Sequence, residues 1–251
     1  MLLTQKAFAE GGRALIYFAS AQGDILTKSD DPESRELANH ILNFLTPIIK
    51  AFLTETGFEA ANLGLQCFGG HGYISEWGAE QNVRDARIAM LYEGTTGVQA
   101  LDLLGRKVLG TRGEALAPVT DFVLDFCKRS RSRKEMRPYL KTLVRLTKQW
   151  KSLTRKIGFS AMRNRDAVGA ASVDYIMFSG YVLLGVAWAA SARVAYKRLE
   201  EGTKEEAFYR AKIRTAEFYF AKILPRTTTL LETMLAGPDP LMKMDESEFM
   251  F

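Results

Sequence analysis

An all-α protein is what this sequence predicts, and three observations carry that expectation. Apolar residues recur at helical spacing along almost the whole chain. Alternating β-branched runs, the mark of strands, are missing. The seven prolines fall mostly at the edges of the apolar segments. With 251 residues, 47% hydrophobic and 25% charged, the chain has the mix of a folded globular protein. That length suffices for one large domain or two modest ones.

The first helix is expected across Met1–Gly23, where Leu3, Ala7, Leu15 and Phe18 share a face. "SDDPES" breaks the pattern, and Pro32 is placed to open the next helix. That helix runs from Glu33 through Ile41, Leu45, Ile48, Phe52 and Phe58 to Leu65. Pro47 lies inside it and should kink or break it. "GGHGYISEWG" reads as a glycine-rich loop, followed by a short helix over 79–87 and another from about Thr95 to Leu109. "GTRGEALAP" marks an internal boundary, which divides the chain into a unit over 1–110 and a second over 111–251. Four more helices are expected at about 114–129, 138–165, 169–199 and 203–235. The final stretch, "AGPDPLMKMDESEFMF", reads as an extended segment pinned by its Leu, Met and Phe side chains.

Composition narrows the function classes. Two cysteines, Cys67 and Cys127, are too few for a disulfide framework and suit a reducing compartment. The two histidines, His40 and His71, stand far apart, so no familiar zinc spacing exists and no metal site is expected. The start "MLLTQKAFAEGG" shows no signal-peptide pattern, and a cytoplasmic protein is expected. A net charge of +5 suits handling of anionic small molecules as well as contact with nucleic acid. The densest basic run, Lys128–Arg137, has no aromatic residue interleaved for base stacking, and it reads as a solvated helix end and loop rather than a nucleic-acid site. "YIMFSGYVLLGVAWAASA", Tyr175–Ala192, carries no charge across its length, the lower limit for a membrane span. Closely flanking charges, Asp174 and Arg193, and the lack of a second span favour a buried central helix of a bundle.

Two motifs bear on chemistry. "GGHG", 69–72, has neither the spacing of a dinucleotide fingerprint nor the Gly-Lys-Ser/Thr of a P-loop. Alone it is a sharp turn whose clustered glycines would let backbone amides approach an anion. His71 reads as a satisfied loop histidine. In "LYEGTTG" an acid, Glu93, stands before a glycine and two threonines at the mouth of a helix. Capping explains a threonine there, and by itself the acid reads as a solvated surface group.

Three segments taken together, "LQCFGGHGY", "VRDARIAMLYEGT" and "GVQALDLLGRKVL", resemble the C-terminal helical domain of the acyl-CoA dehydrogenases in content, order and interval. The resemblance covers about residues 1–110. The later helices resemble the C-terminal extension of the branch that contains the 3-methylmercaptopropionyl-CoA dehydrogenases. The fold it implies is the helical bundle of that domain followed by a second helical bundle.

The resemblance also implies a site. The acid matching Glu93 is the family's general base, which takes a proton from the α-carbon of an acyl-CoA thioester while a hydride leaves the β-carbon for the flavin, giving a trans-2-enoyl-CoA. A dry apolar pocket would favour such a base by raising its pKa. Gly94 would leave room for the thioester, and the Glu93 amide would donate to its carbonyl. Thr95 resembles the family's flavin contact and Tyr92 its pocket wall. Gln66, Gly69 and Gly70 match the segment that lies on the adenosine-diphosphate end of a neighbouring subunit's flavin. FAD is thereby implied as cofactor, a homo-oligomer (dimer or tetramer) as the assembly, and an electron-transferring flavoprotein as the electron acceptor.

Two departures stand out. Gly97 occupies a position where many members carry a flavin-contacting Gln. The family's N-terminal and middle domains are expected to be absent from this chain, which would leave the isolated chain inactive. The competing expectation is a non-catalytic helical module that keeps the fold for interaction or assembly.

Overall fold

The computed structural model describes residues 1–250 and contains no strand among them. Its long helices are α1 (Leu2–Lys28), α2 (Pro32–Cys67), α7 (Arg137–Arg163) and α8 (Asp166–Glu201). Shorter ones are α3 (Gly70–Tyr73), α4 (Ala79–Ile88), α5 (Thr96–Leu101), α6 (Ala117–Arg129), α9 (Glu206–Phe218), α10 (Arg226–Leu235) and α11 (Asp239–Met242).

Helix α8 is the axis, with α1, α2, α5, α7, α9 and α10 packed around it. It is the one helix among the described residues long and apolar enough to cross a membrane, and 78% of its most apolar window is buried inside this fold. Small residues let neighbours in close. An added Cβ at Gly180 would fall 2.2 Å from Cγ of Phe52, so α2 lies directly against α8 there. Phe52 then meets Tyr181 edge to face, with ring centroids 4.9 Å apart. Trp188 donates its indole N–H to the Ala7 carbonyl at 3.0 Å, which fastens α1 to the same axis. The buried core is continuous, running from Phe44 and Phe52 through Trp150 and Tyr175 to Tyr219 and Met234.

Capping at α2 follows the expected chemistry. Asp31 accepts from the Ser34 amide at 3.1 Å, and Pro32 takes a position where a missing N–H costs nothing. Of the kink or break expected at Pro47, the break does not occur, and α2 runs on through it. A proline orphans the carbonyl four residues back, here that of Asn43. The Lys107 ammonium donates to that carbonyl. Burial lowers the Lys107 pKa, and Asp102, 3.6 Å away, works against that shift.

The reach of Lys107 depends on a second departure. The helix expected from Thr95 to Leu109 widens after Leu101 into a π-helix over Asp102–Leu109, closing with the Gly110 amide on the Gly105 carbonyl at 3.0 Å. The helix expected over 203–235 is likewise not continuous. It starts at Glu206, widens to a π turn over Tyr219–Ile223, and restarts after Pro225, which cannot supply an amide to a continuing helix.

The tail corrects another expectation. Residues 239–242 and 246–250 form short turns, and Leu241, Met242, Met244, Phe249 and Met250 are all exposed rather than pinned. Gly237, with φ of 76°, and the prolines at 238 and 240 break the segment into pieces too short to bury a stripe. Phe251 lies outside the described residues.

The two cysteines differ sharply. Cys67 is exposed, while Cys127 is buried and its thiol is pushed up to about 11 by that burial, against a small opposing influence of Arg131. A thiol-reactive dye at neutral pH is expected to modify one cysteine per native chain, Cys67, and to reach Cys127 only in denaturant. Mass spectrometry of the labelled peptides checks this; fast native labelling at Cys127 would contradict the packing of α6.

Glu10 on α1 ties that helix to α9. It takes Lys212 at 2.8 Å and Lys6 at 2.5 Å. Burial would raise its pKa, but the two ammonium groups outweigh it and hold the carboxyl below its ordinary 4.5. The folded state therefore keeps Glu10 ionised further into acid than the unfolded chain does. Its contribution is complete above the unfolded value of 4.5 and disappears as pH falls through the depressed folded value. Glu10→Gln should therefore lower the urea midpoint at pH 7 and lose that deficit by pH 3. A deficit that persists in acid would mean the contact is one of packing alone.

Candidate active site

The end of α2, the α3 turn and α4 form a hairpin. Gly69, with φ of 58°, turns the chain after α2, and Gly78, with φ of 70°, starts α4. Helix α4 then runs back along α2 and delivers residues 91–95 beside its middle. The loop is built from named contacts. Lys50 of α2 donates to the Gly94 carbonyl at 2.5 Å. Thr96 donates to the Glu55 carboxylate at 2.6 Å. The Gln99 amide nitrogen donates to the Glu93 carbonyl at 3.1 Å.

Glu93 itself has φ of 56°, a left-handed conformation that L residues other than glycine seldom adopt. Only one other non-glycine residue among those described, Arg112, shares it. Such a conformation costs about 1 kcal/mol or more and persists only where its surroundings impose it. Gly94 follows with φ of 91°, so the backbone demands glycine, and a Cβ there would also fall 2.7 Å from Nε2 of Gln99 and displace that amide. Thr95 caps α5, its hydroxyl accepting from the Val98 amide at 3.4 Å. The capping reading of that threonine is thus right, and its hydroxyl proton remains able to donate elsewhere.

The Glu93 side chain is exposed, so the dry pocket expected around it is not formed by these residues. Its backbone amide has no acceptor among the described residues. Tyr92 is exposed as well, and with Ile88, Leu91, Val98 and Leu101 it makes an apolar surface around the acid. Gly97 faces open space, with nothing within 4 Å of where a Cβ would stand, so the residue that departs from the family pattern leaves the surface uncovered.

Gln66, Gly69 and Gly70 form a separate place. Lys50, which holds the Glu93 loop, and Gln66 lie sixteen residues apart on one helix, about 24 Å at 1.5 Å per residue. The two sets of expected site residues are therefore not brought together within one chain. Gly69 and Gly70 are exposed and unobstructed, and Phe68, Tyr73, Ile74 and Trp77 stand out around them. His71 lies within the α3 turn rather than in a loop, exposed and packed edge to face on Trp77 with centroids 5.8 Å apart.

Sequence reasoning missed Lys50, Glu55 and Gln99. A signal for the first two existed, since both interrupt the apolar run of α2 between Ile48 and Phe58. It also missed the Arg226 guanidinium, which grips the Glu59 carboxylate with two 2.7 Å bonds and reaches the Tyr181 hydroxyl at 3.1 Å, joining α2, α8 and α10.

Comparison with known sequences places this glycine turn, strained acid and helical bundle in a family. Residues 4–109 match the acyl-CoA dehydrogenase C-terminal domain, and residues 116–245 match the domain described as acetyl-CoA dehydrogenase C-terminal like. The chain belongs to the acyl-CoA dehydrogenase family. It is 31% identical over 260 residues to the broad-specificity linear acyl-CoA dehydrogenase FadE5 of Mycobacterium tuberculosis, covering 99% of this chain and 42% of that protein. To the 3-methylmercaptopropionyl-CoA dehydrogenase of Ruegeria pomeroyi it is 34% identical, covering 89% of this chain and 38% of the relative. The crystal structure of Caenorhabditis elegans ACDH-11 in complex with C11-CoA shares the fold with a TM-score of 0.62 at 19% identity, over 86% of this chain and 34% of that one. The chain thus spans about two fifths of the length of these curated relatives.

Proposed function

We propose that this chain is the catalytic-base half of an FAD-dependent acyl-CoA dehydrogenase, with Glu93 removing the α-proton of an acyl-CoA thioester. The observation that carries the reading is the left-handed Glu93, fixed by Lys50 and Gln99 while its carboxylate faces outward. Strain imposed on an exposed acid has no use in packing. The Glu93 carboxylate accepts the proton, and its unpaired amide is available to the thioester carbonyl as charge develops there. Gly94 keeps that approach clear, and Tyr92 contributes a wall. FAD, when bound, supplies the acceptor for the β-hydride. Residues of this chain fit it: Thr95 retains a donor proton, and the open backbone at Gly69 and Gly70, beside Gln66, suits a diphosphate. Because that segment lies about 24 Å along α2 from the base, it serves a second subunit's flavin, which makes the working assembly a homo-oligomer. Residues 1–110 carry the chemistry in this reading, 111–251 brace it, and an electron-transferring flavoprotein takes the electrons in the cytoplasm.

One observation favours a second reading, a non-catalytic assembly module: neither of the two large clefts reaches Glu93. Flavin binding separates the two. The 251 residues alone should purify colourless and without dehydrogenase activity, because one wall of a site cannot hold a ligand whose binding entropy several contacts share. Mixed with a polypeptide supplying the rest of the relatives' length, the chain should retain FAD through gel filtration, and Gly69→Val should diminish that retention without changing helicity. A mixture that stays colourless would leave the assembly module as the function.

A further inference from the structure

A cleft of 830 Å³ opens between the end of the π segment, the start of α6 and the last turns of α7. Its walls include Leu109, Leu116, Ala161 and Met162, with Phe159 at the edge. Two threonines reach its floor, Thr120 and Thr154, but their hydroxyls are engaged by helix carbonyls and by Tyr175 at 2.7 Å. The floor therefore offers a ligand apolar surface.

The charge around this cleft is of one sign. Arg112, Lys151 and Arg155 line it, and no acidic residue does. Lys151 reaches Asp121 at 3.1 Å, whereas Arg112 and Arg155 make no ion pair with any described residue. Arg112 is also the second strained residue of the chain, with φ of 54°, and Gly113 follows at 90°. That left-handed pair sets the arginine at the cleft as the chain leaves the π segment. The contrast with the other large groove, 430 Å³ between α1, α6, α8 and α9, is informative. Its one cation, Lys212, is already bonded to Glu10 at 2.8 Å.

An apolar cavity of this size with unpaired cations at its mouth suits one ligand class, an aliphatic chain ending in an anion. We propose that the cleft binds a long-chain fatty carboxylate, its chain among Leu109, Leu116 and Met162 and its carboxylate between Arg112 and Arg155. Two guanidinium groups match a carboxylate's geometry, which an ammonium pair would not. The site is separate from the Glu93 loop and holds whether or not Glu93 is a base.

Isothermal titration of the 251-residue chain with oleate, kept below its micellar concentration, tests this. One saturable site per chain is expected, with methyl oleate at least tenfold weaker. Arg112→Glu with Arg155→Glu should weaken oleate at least tenfold. Gly158→Leu should do the same by filling the cleft. Its Cβ would lie 3.4 Å from Leu109 Cδ2, and leucine suits the middle of α7 better than glycine does. Ala190→Leu, in the other groove, should leave oleate binding unchanged, and circular dichroism melts confirm that each variant folds. The proposal is overturned by absent or non-saturable binding, by equal affinity for the ester, by insensitivity to Gly158→Leu and the charge reversals, by loss in Ala190→Leu, or by binding only to anionic vesicles.

Discussion

Glu93→Gln, placed in a polypeptide of the relatives' full length, is expected to keep FAD and acyl-CoA binding and to lose turnover by about 10²- to 10⁴-fold, the range of a positioned general base. Glutamine preserves shape and the contacts of Lys50 and Gln99, which are made to backbone carbonyls and do not involve the side chain. What it removes is the ability to accept a proton. The measurement is anaerobic rapid mixing, following flavin bleaching on addition of substrate. Bleaching at near-normal rate would assign the proton to another group and end the case for Glu93.

Gly180→Val is expected to destabilise the fold strongly. The nearest ring atoms of Phe52 lie 2.2 and 2.3 Å from the position of a new Cβ, and Phe52 is fully buried. Movement of α8 away from Phe52 is opposed by its packing against α1, α5, α7, α9 and α10. Overpacking of this kind costs about 1–3 kcal/mol and more where nothing yields, which for a chain of this size means a Tm lower by about 2–12 °C. Urea melts of Gly180→Val, Phe52→Ala and the double variant give the interaction. The double variant should lose less than the sum of the two single losses, because alanine at 52 removes Cγ and Cδ2, the two atoms nearest the new side chain, and keeps only the Cβ at 2.7 Å. Simple additivity would show that the contact between α2 and α8 is looser than its geometry.

How much of the molecule is legible in its sequence depends on range. Helix identity is, because apolar periodicity is local. Ala79–Ile88 and Arg137–Arg163 differ from expectation by a residue or two. The charge-free run of α8 is readable as a buried axis for the same reason. Interruptions are harder to read. Pro47 carries the signal of a break, but the group that removes the penalty, Lys107, lies sixty residues away and no local rule contains it. Both π turns escape because a one-residue widening leaves the apolar pattern nearly intact. At the site, the glycines, the acid and the capping threonine are visible as types in a spacing. The left-handed backbone of Glu93 is not, since asparagine or glycine, rather than glutamate, is what normally announces it.

The bond from Lys107 to Asn43 has a consequence for the order of assembly. A helix of 36 residues with a proline at its middle consists, until that carbonyl is answered, of two halves joined at a weak point. The answering ammonium arrives on the stretch that immediately follows the Glu93 loop and α5. Closing of α2 across Pro47 and seating of that stretch are therefore expected to be one cooperative event, not two. Amides on both sides of Pro47 should exchange with solvent at the same rate as those of 103–109, as members of one unit. This 36-residue helix is therefore expected to be completed only as the strained acid is set in place.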